Sequence, residues 1–309
     1  MCARTLVFAL AAAALVFASA CGSRPEATDP DAAVSVVATT TQVGALVRAV
    51  GGRRAVLHQI LQPNSDPHEY EPRPSDARAL DAADLVFRSG GEIDAWASDL
   101  TRGDASGRTV TLSESVRLRG NDPHWWQDPR NAVLAVAAIR GALVRADPSG
   151  RATYDRNARS YTVALKRLDR SVAACVDQLP RAQRKLVTSH DALGYFVARY
   201  RLKLVGTVVP SLSTRAQPSS KDINRLVAQI RAEGVRAIFP ESSLSPKLER
   251  AVARETGASV GGALRADALG PAGSSGATYI GSIEANTRAI VRGLSGGAIA
   301  CPLRRPARG

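Results

Sequence analysis

The feature that most limits what this chain can become lies at its middle. From Tyr154 the apolar residues fall at Ala158, Tyr161, Leu165, Leu168, Val172, Cys175 and Leu179. Steps of four and three keep one face of a helix apolar for about 30 residues, roughly 45 Å at 1.5 Å per residue, with Asp147-Pro148 before it and Pro180 as its stop. A coiled-coil dimer gives the same spacing. A single stiff helix in a monomer is the preferred reading, because the sequence on both sides supplies material to bury the stripe.

That material is α/β on each side. Before the helix, short β-branched runs (Val34 to Ala38, Val56 to Leu61, Leu85 to Arg88, Thr109 to Leu112) alternate with helical periods, the last opened by Asp128-Pro129. After it the alternation returns, with strands at Leu186 to Ser189, Leu204 to Val209, Val235 to Phe239 and Ala258 to Val260. Such alternation predicts an α/β fold of two (β/α)4 lobes with mostly parallel sheets, residues 34–147 and 181–309, joined by one long rigid helix over 148–180. Ligands of parallel sheets bind beyond the carboxyl ends of strands, so those loops are searched first.

Residues 1–20 carry Arg4, an apolar stretch from Leu6 to Phe17, and Ala18-Ser19-Ala20 ahead of Cys21. This reads as a secretory signal, too short to span a bilayer. Cys21 is the expected lipidation point, and residues 21–33 a polar tether. Simple cleavage after Ala20 is the alternative. The protein is therefore expected outside the cytoplasm, held to the membrane by an N-terminal lipid only. In that compartment Cys175 and Cys301 either bridge or remain two separate thiols. A formal charge of +13 raises nucleic acid as a partner, but only five of the 41 basic residues are Lys and the Arg are scattered. No nucleic-acid partner is expected.

Three of the four histidines lie in loops placed just after strands. His68 stands in Asp66-Pro67-His68-Glu69-Tyr70, His124 in Asp122-Pro123-His124-Trp125-Trp126, and His190 follows Leu186 to Ser189. His58 falls inside a strand and is set aside. In both Asp-Pro-His motifs the proline fixes the backbone ahead of the imidazole, and nearby carboxylates (Asp66, Glu69, Asp122) are the acceptors expected to orient it. Three imidazoles suit a borderline metal such as Zn2+, which takes four N, S or O donors. Asp267, after the last strand, is the candidate fourth donor, and Glu241 is placed beside the cleft, a structural cap being the alternative.

At this point the chain resembles the metal-binding solute-binding lipoproteins of zinc and manganese ABC importers. The resemblance rests on Asp66 to Pro72, Asp122 to Pro129, Thr188 to Phe196, Phe239-Pro240-Glu241-Ser242, and Asp267 through Pro271 to Tyr279-Ile280-Gly281, and covers nearly the whole mature chain. It implies two lobes joined by a rigid helix, a metal held in the cleft by His68, His124, His190 and Asp267, and a cognate ABC permease with its ATPase as partners, with a metallochaperone as a further one. Manganese-type relatives carry Glu at the third position; His190 there favours Zn2+, with Mn2+ as the alternative. The His-rich loop of many zinc-specific relatives is missing, and only Arg102 to Arg108 stands in its place.

Four protein donors leave no open position, which predicts a binding protein rather than an enzyme. A zinc hydrolase would use three ligands, a water and a base. The sequence has no His-Glu-x-x-His, and its one Gly-x-Ser-x-Gly match, Gly293 to Gly297, follows the helical period of Ile290 and Val291 rather than a strand, so it is no nucleophile elbow. Release is expected through local movement of the loop from Leu264 to Ala277, which holds Asp267 among glycines.

Overall fold

Parallel pairing throughout, with one strand order used twice, is the organising feature. In the computed structural model, which describes residues 34–100, 107–301 and 303, the first sheet contains β1 (Val34–Ala38), β2 (Ala55–Gln59), β3 (Leu85–Arg88) and β4 (Thr109–Thr111) in the order β2-β1-β3-β4. Helices α1 (Thr41–Gly51), α2 (Pro74–Ala82) and α3 (Ala95–Leu100) connect them, and α4 (Pro129–Ala146) follows. Past α5 (Arg151–Val176), the second sheet contains β5 (Lys185–Thr188), β6 (Lys203–Thr207), β7 (Ala237–Phe239) and β8 (Ser259–Val260) in the corresponding order β6-β5-β7-β8. Its helices are α6 (Gly194–Tyr200), α7 (Ser220–Glu233), α8 (Lys247–Thr256) and α9 (Tyr279–Leu294). The reversal of strand order in each sheet opens a crevice beyond the strand ends.

The signal segment, Cys21 and the tether fall outside the described residues, as does most of Arg102 to Arg108. No described helix is long and apolar enough to cross a membrane.

The α/β reading with two parallel sheets and one long helix holds. The helix is shorter than its stripe implied: α5 has 26 residues, or about 39 Å. Two local causes trim it. At its start Asp147 turns its carboxylate back onto the Gly150 amide, and Pro148–Gly150 forms a separate 3-10 turn. At its end Gln178 and Leu179 donate to the carbonyls of Cys175 and Val176, the tighter i→i+3 pattern of a closing helix. The stripe is buried within the chain, not against a second copy: Tyr154, Leu165, Leu168, Val172 and Cys175 join one apolar core that runs from Val36 and Phe87 to Leu186 and Phe239. This shared core is why the helix acts as a stiff spine. Each fully buried leucine on it contributes about 2 kcal/mol. Cys175 and Cys301 form a disulfide, with Cα atoms 5.4 Å apart, tying α5 to the tail.

Candidate metal site

Every donor candidate sits beyond the carboxyl end of a strand. His68 follows β2, His124 follows β4, His190 is two residues past β5, Glu241 two past β7, and Asp267 comes after β8. The two Asp-Pro-His tripeptides fold alike. Asp66 Oδ1 accepts from the His68 amide at 2.9 Å, and Asp122 Oδ1 from the His124 amide at 3.0 Å. Each is a turn in which a short acid side chain caps the amide two residues on.

These two turns and the loop after β5 bring three imidazoles round one carboxylate. The ring centroids of His68, His124 and His190 stand 5.8, 5.6 and 5.4 Å apart, nearly an equilateral triangle. From Asp267, Oδ2 lies 3.2 Å from His68 Nε2 and 3.0 Å from His190 Nε2, while Oδ1 lies 3.3 Å from His124 Nε2. Donors on a tetrahedron with bonds of about 2.05 Å stand about 3.3 Å apart, so these separations are its edges. One donor atom from each of the four residues lies within 4.8 Å of every other. All four side chains are buried, and neither the three Nε2 atoms nor the two Asp267 oxygens make a well-formed hydrogen bond among the described residues. Buried polar atoms left this way are costly unless an ion takes them.

Two imidazoles are backed by a second carboxylate. Asp122 Oδ1 lies 2.8 Å from His124 Nδ1, and Glu241 Oε2 lies 2.9 Å from His190 Nδ1. The first contact is a hydrogen bond and the second an ion-pair contact without hydrogen-bond geometry; a carboxylate behind Nδ1 favours the tautomer that turns the Nε2 lone pair inward. Burial pulls His190 down, yet Asp267 and Glu241 outweigh it and hold the imidazole well above its usual range. Burial likewise works against an ionised Asp267, but His190, His124 and His68 hold it well below the usual carboxylate value. Glu241 is pushed up by burial and by Asp267, against the pull of His190.

Glu69 does not join them. Its side chain is exposed and reaches Arg215 at 3.7 Å, because the buried His68 turns inward and sends its neighbour to solvent. Asp66 accepts from the backbone amide of His68, and its Oδ2 accepts from Thr214 Oγ1 at 2.7 Å. The segment after β8 is also tied more firmly than its glycines suggested. Trp126 Nε1 and Gln127 Nε2 both donate to the Ala266 carbonyl, Thr41 Oγ1 accepts from the Leu269 amide, and Asn64 N–H donates to the Leu269 carbonyl. Trp126 and Gln127 were readable as candidates from their place beside His124. Thr214 carried no signal in its Ser-Leu-Ser-Thr-Arg loop.

Residues 36–293 match the family model described as zinc-uptake complex component A periplasmic. The chain belongs to that family. Among relatives, the manganese-binding lipoprotein MntA of Halalkalibacterium halodurans is 29% identical over 287 residues, covering 91% of this chain and 95% of its own. The iron-binding protein YfeA of Yersinia pestis is 30% identical over 267 residues, 84% of this chain and 85% of its own. The periplasmic zinc-binding protein TroA from Treponema pallidum superposes with a TM-score of 0.78 at 29% identity, over 84% of this chain and 99% of its own. Membership of the family places the chain among the metal-binding, substrate-binding proteins of ABC importers. The relatives' names cover manganese, iron and zinc, so they leave the metal to the chemistry of the site.

Proposed function

We propose that this protein captures Zn2+ outside the cytoplasm and delivers it to the permease of an ABC importer, with the ion as cargo and no reaction of its own. The observation that carries this is the set of three buried imidazole Nε2 atoms at 3.0 to 3.3 Å from one buried carboxylate. A nitrogen-rich set favours Zn2+ over the harder Mn2+. His68, His124, His190 and Asp267 are the ligands; Asp122 and Glu241 orient two of them. Four protein donors close the coordination of zinc, which speaks against a hydrolase with a metal-bound water. Residues 1–20 serve as export signal, Cys21 carries the lipid, and 21–33 tethers the two lobes.

Mixed zinc and manganese uptake is the second reading, and one observation favours it. The two oxygens of Asp267 face different imidazoles, so the carboxylate can bind through both and raise the coordination number toward what manganese accepts. The test is to strip the mature chain with chelator, offer Zn2+ and Mn2+ together, and measure bound metal per chain. One zinc with manganese excluded supports the proposal; retained manganese moves the function to mixed or manganese uptake.

A further inference from the structure

The three imidazoles around Asp267 are not held alike. His124 and His190 each have a carboxylate at Nδ1, whereas among the described residues no carboxylate stands within ion-pair distance of His68 Nδ1. His68 is also the most accessible of the four, 8% exposed against 0–2% for the others. It alone of the four lines the cavity of about 470 Å3 at the mouth, whose wall includes Glu92, Asp122 and Leu212. The difference arises within the shared tripeptide. Asp122 spends Oδ1 on both the amide and the ring of His124. Asp66 spends Oδ1 on the amide of His68 and gives Oδ2 to Thr214, 148 residues away on the loop after β6.

We propose that His68 is the ligand that yields when metal enters or leaves, and that Thr214, through Asp66, is the positioning residue that sets how fast it yields. This rests on the metal-binding reading above. The hydroxyl of Thr214 pins the His68 turn to the second lobe, and Leu212 on the same loop lines the cavity. In the exchange step the Nε2 lone pair of His68 leaves the metal and a water from the cavity replaces it. His124 and His190 keep their places because each has a carboxylate behind its ring, and Asp267 because its backbone segment is hydrogen-bonded. Exchange through Asp267 is disfavoured by the four hydrogen bonds that the side chains of Trp126, Gln127 and Thr41 and the Asn64 amide make to its segment.

The experiment loads the mature chain with Zn2+ and times its release to excess chromophoric chelator by stopped flow, for wild type, Thr214→Val, Thr214→Ser and Asp66→Asn. Loss of one hydrogen bond at the latch accelerates release several-fold, up to about tenfold. Thr214→Ser keeps the hydroxyl and restores the wild-type rate. Thr214 is only partly buried, so the valine variant folds, and a thermal melt verifies it. The d–d spectrum of the Co2+-loaded valine variant matches wild type, since the four ligands are unchanged. Wild-type release rates in both Thr214→Val and Asp66→Asn, or an altered cobalt spectrum, overturn the inference while leaving the site intact. Failure of wild type to take up zinc, or unchanged affinity in His68→Ala, overturns the metal-binding reading itself.

Discussion

Glu241 Oε2 lies 2.9 Å from Nδ1 of His190, on the far side of the ring from the atom that faces Asp267. The imidazole is thus held between two buried carboxylates. One stands behind Nδ1 and the other beside Nε2. Because the Glu241 carboxylate stands at ion-pair distance behind Nδ1 and favours a proton there, Glu241→Ala loosens both tautomer and ring angle, and zinc affinity falls about 10- to 100-fold. Glu69→Ala, at an exposed position turned away from the site, leaves it unchanged. Zinc titration against a competing chelator separates the two.

The elevated His190 sets the pH response of the empty site. A proton on the imidazole stabilises the metal-free fold fully below about 6.5, the ordinary histidine value, and that contribution is lost as pH rises through the raised folded value. Metal requires the same nitrogen free, so affinity rises over the same interval. The melting temperature of chelator-stripped protein is therefore expected to fall from pH 6 to pH 9 while the gain on adding zinc grows. Zinc binding at pH 7 releases protons, measurable by titration calorimetry in buffers of different ionisation enthalpy. A zinc-induced gain that is flat across this range would contradict the assignment.

Asp147 anchors the start of the spine. Burial opposes its charge, but Ser149, Tyr154, Arg54 and the Gly150 amide bring it down to about 2. A depressed carboxylate stabilises the fold above its unfolded value of about 3.9 and loses that contribution as pH falls toward 2. Asp147→Asn is expected to cost roughly 1 kcal/mol at pH 7, a fall of about 2–4 °C, and the gap to wild type closes between pH 4 and pH 2. Thermal melts across pH read it directly.

The bond between Cys175 and Cys301 closes a sequence separation of 126 residues. Cys301→Ser is predicted to destabilise the protein by about 2–4 kcal/mol, mainly through the freedom returned to the unfolded chain. Zinc affinity stays at the wild-type value, because neither cysteine belongs to the site. Denaturant unfolding and zinc titration of the same variant provide both halves of the test.

How much of this was readable in the chain varies from residue to residue. The β-branched runs and the 4-3 stripe gave the two sheets and the spine, because period is a local property. The motifs around His68 and His124 pointed to the cleft for a similar reason: Asp-Pro-His builds its own turn. Glu69 lay next to a donor in sequence and still faced solvent, since adjacent residues in a turn diverge. Thr214 meets Asp66 only after both lobes form, and nothing near it in sequence marks that contact. The glycines after Asp267 argued for mobility; the hydrogen bonds to Ala266 and Leu269 that restrain the segment come from residues more than 130 positions away.

The central claim is a closed four-donor site, and Asp267 is its most exposing member. Titration of zinc into stripped wild type and Asp267→Ala, with a competing chelator of known strength, tests it most directly. The account predicts one zinc per wild-type chain and an affinity at least tenfold weaker in the variant. Equal affinity in the two would contradict it, leaving three imidazoles and an open position on the metal.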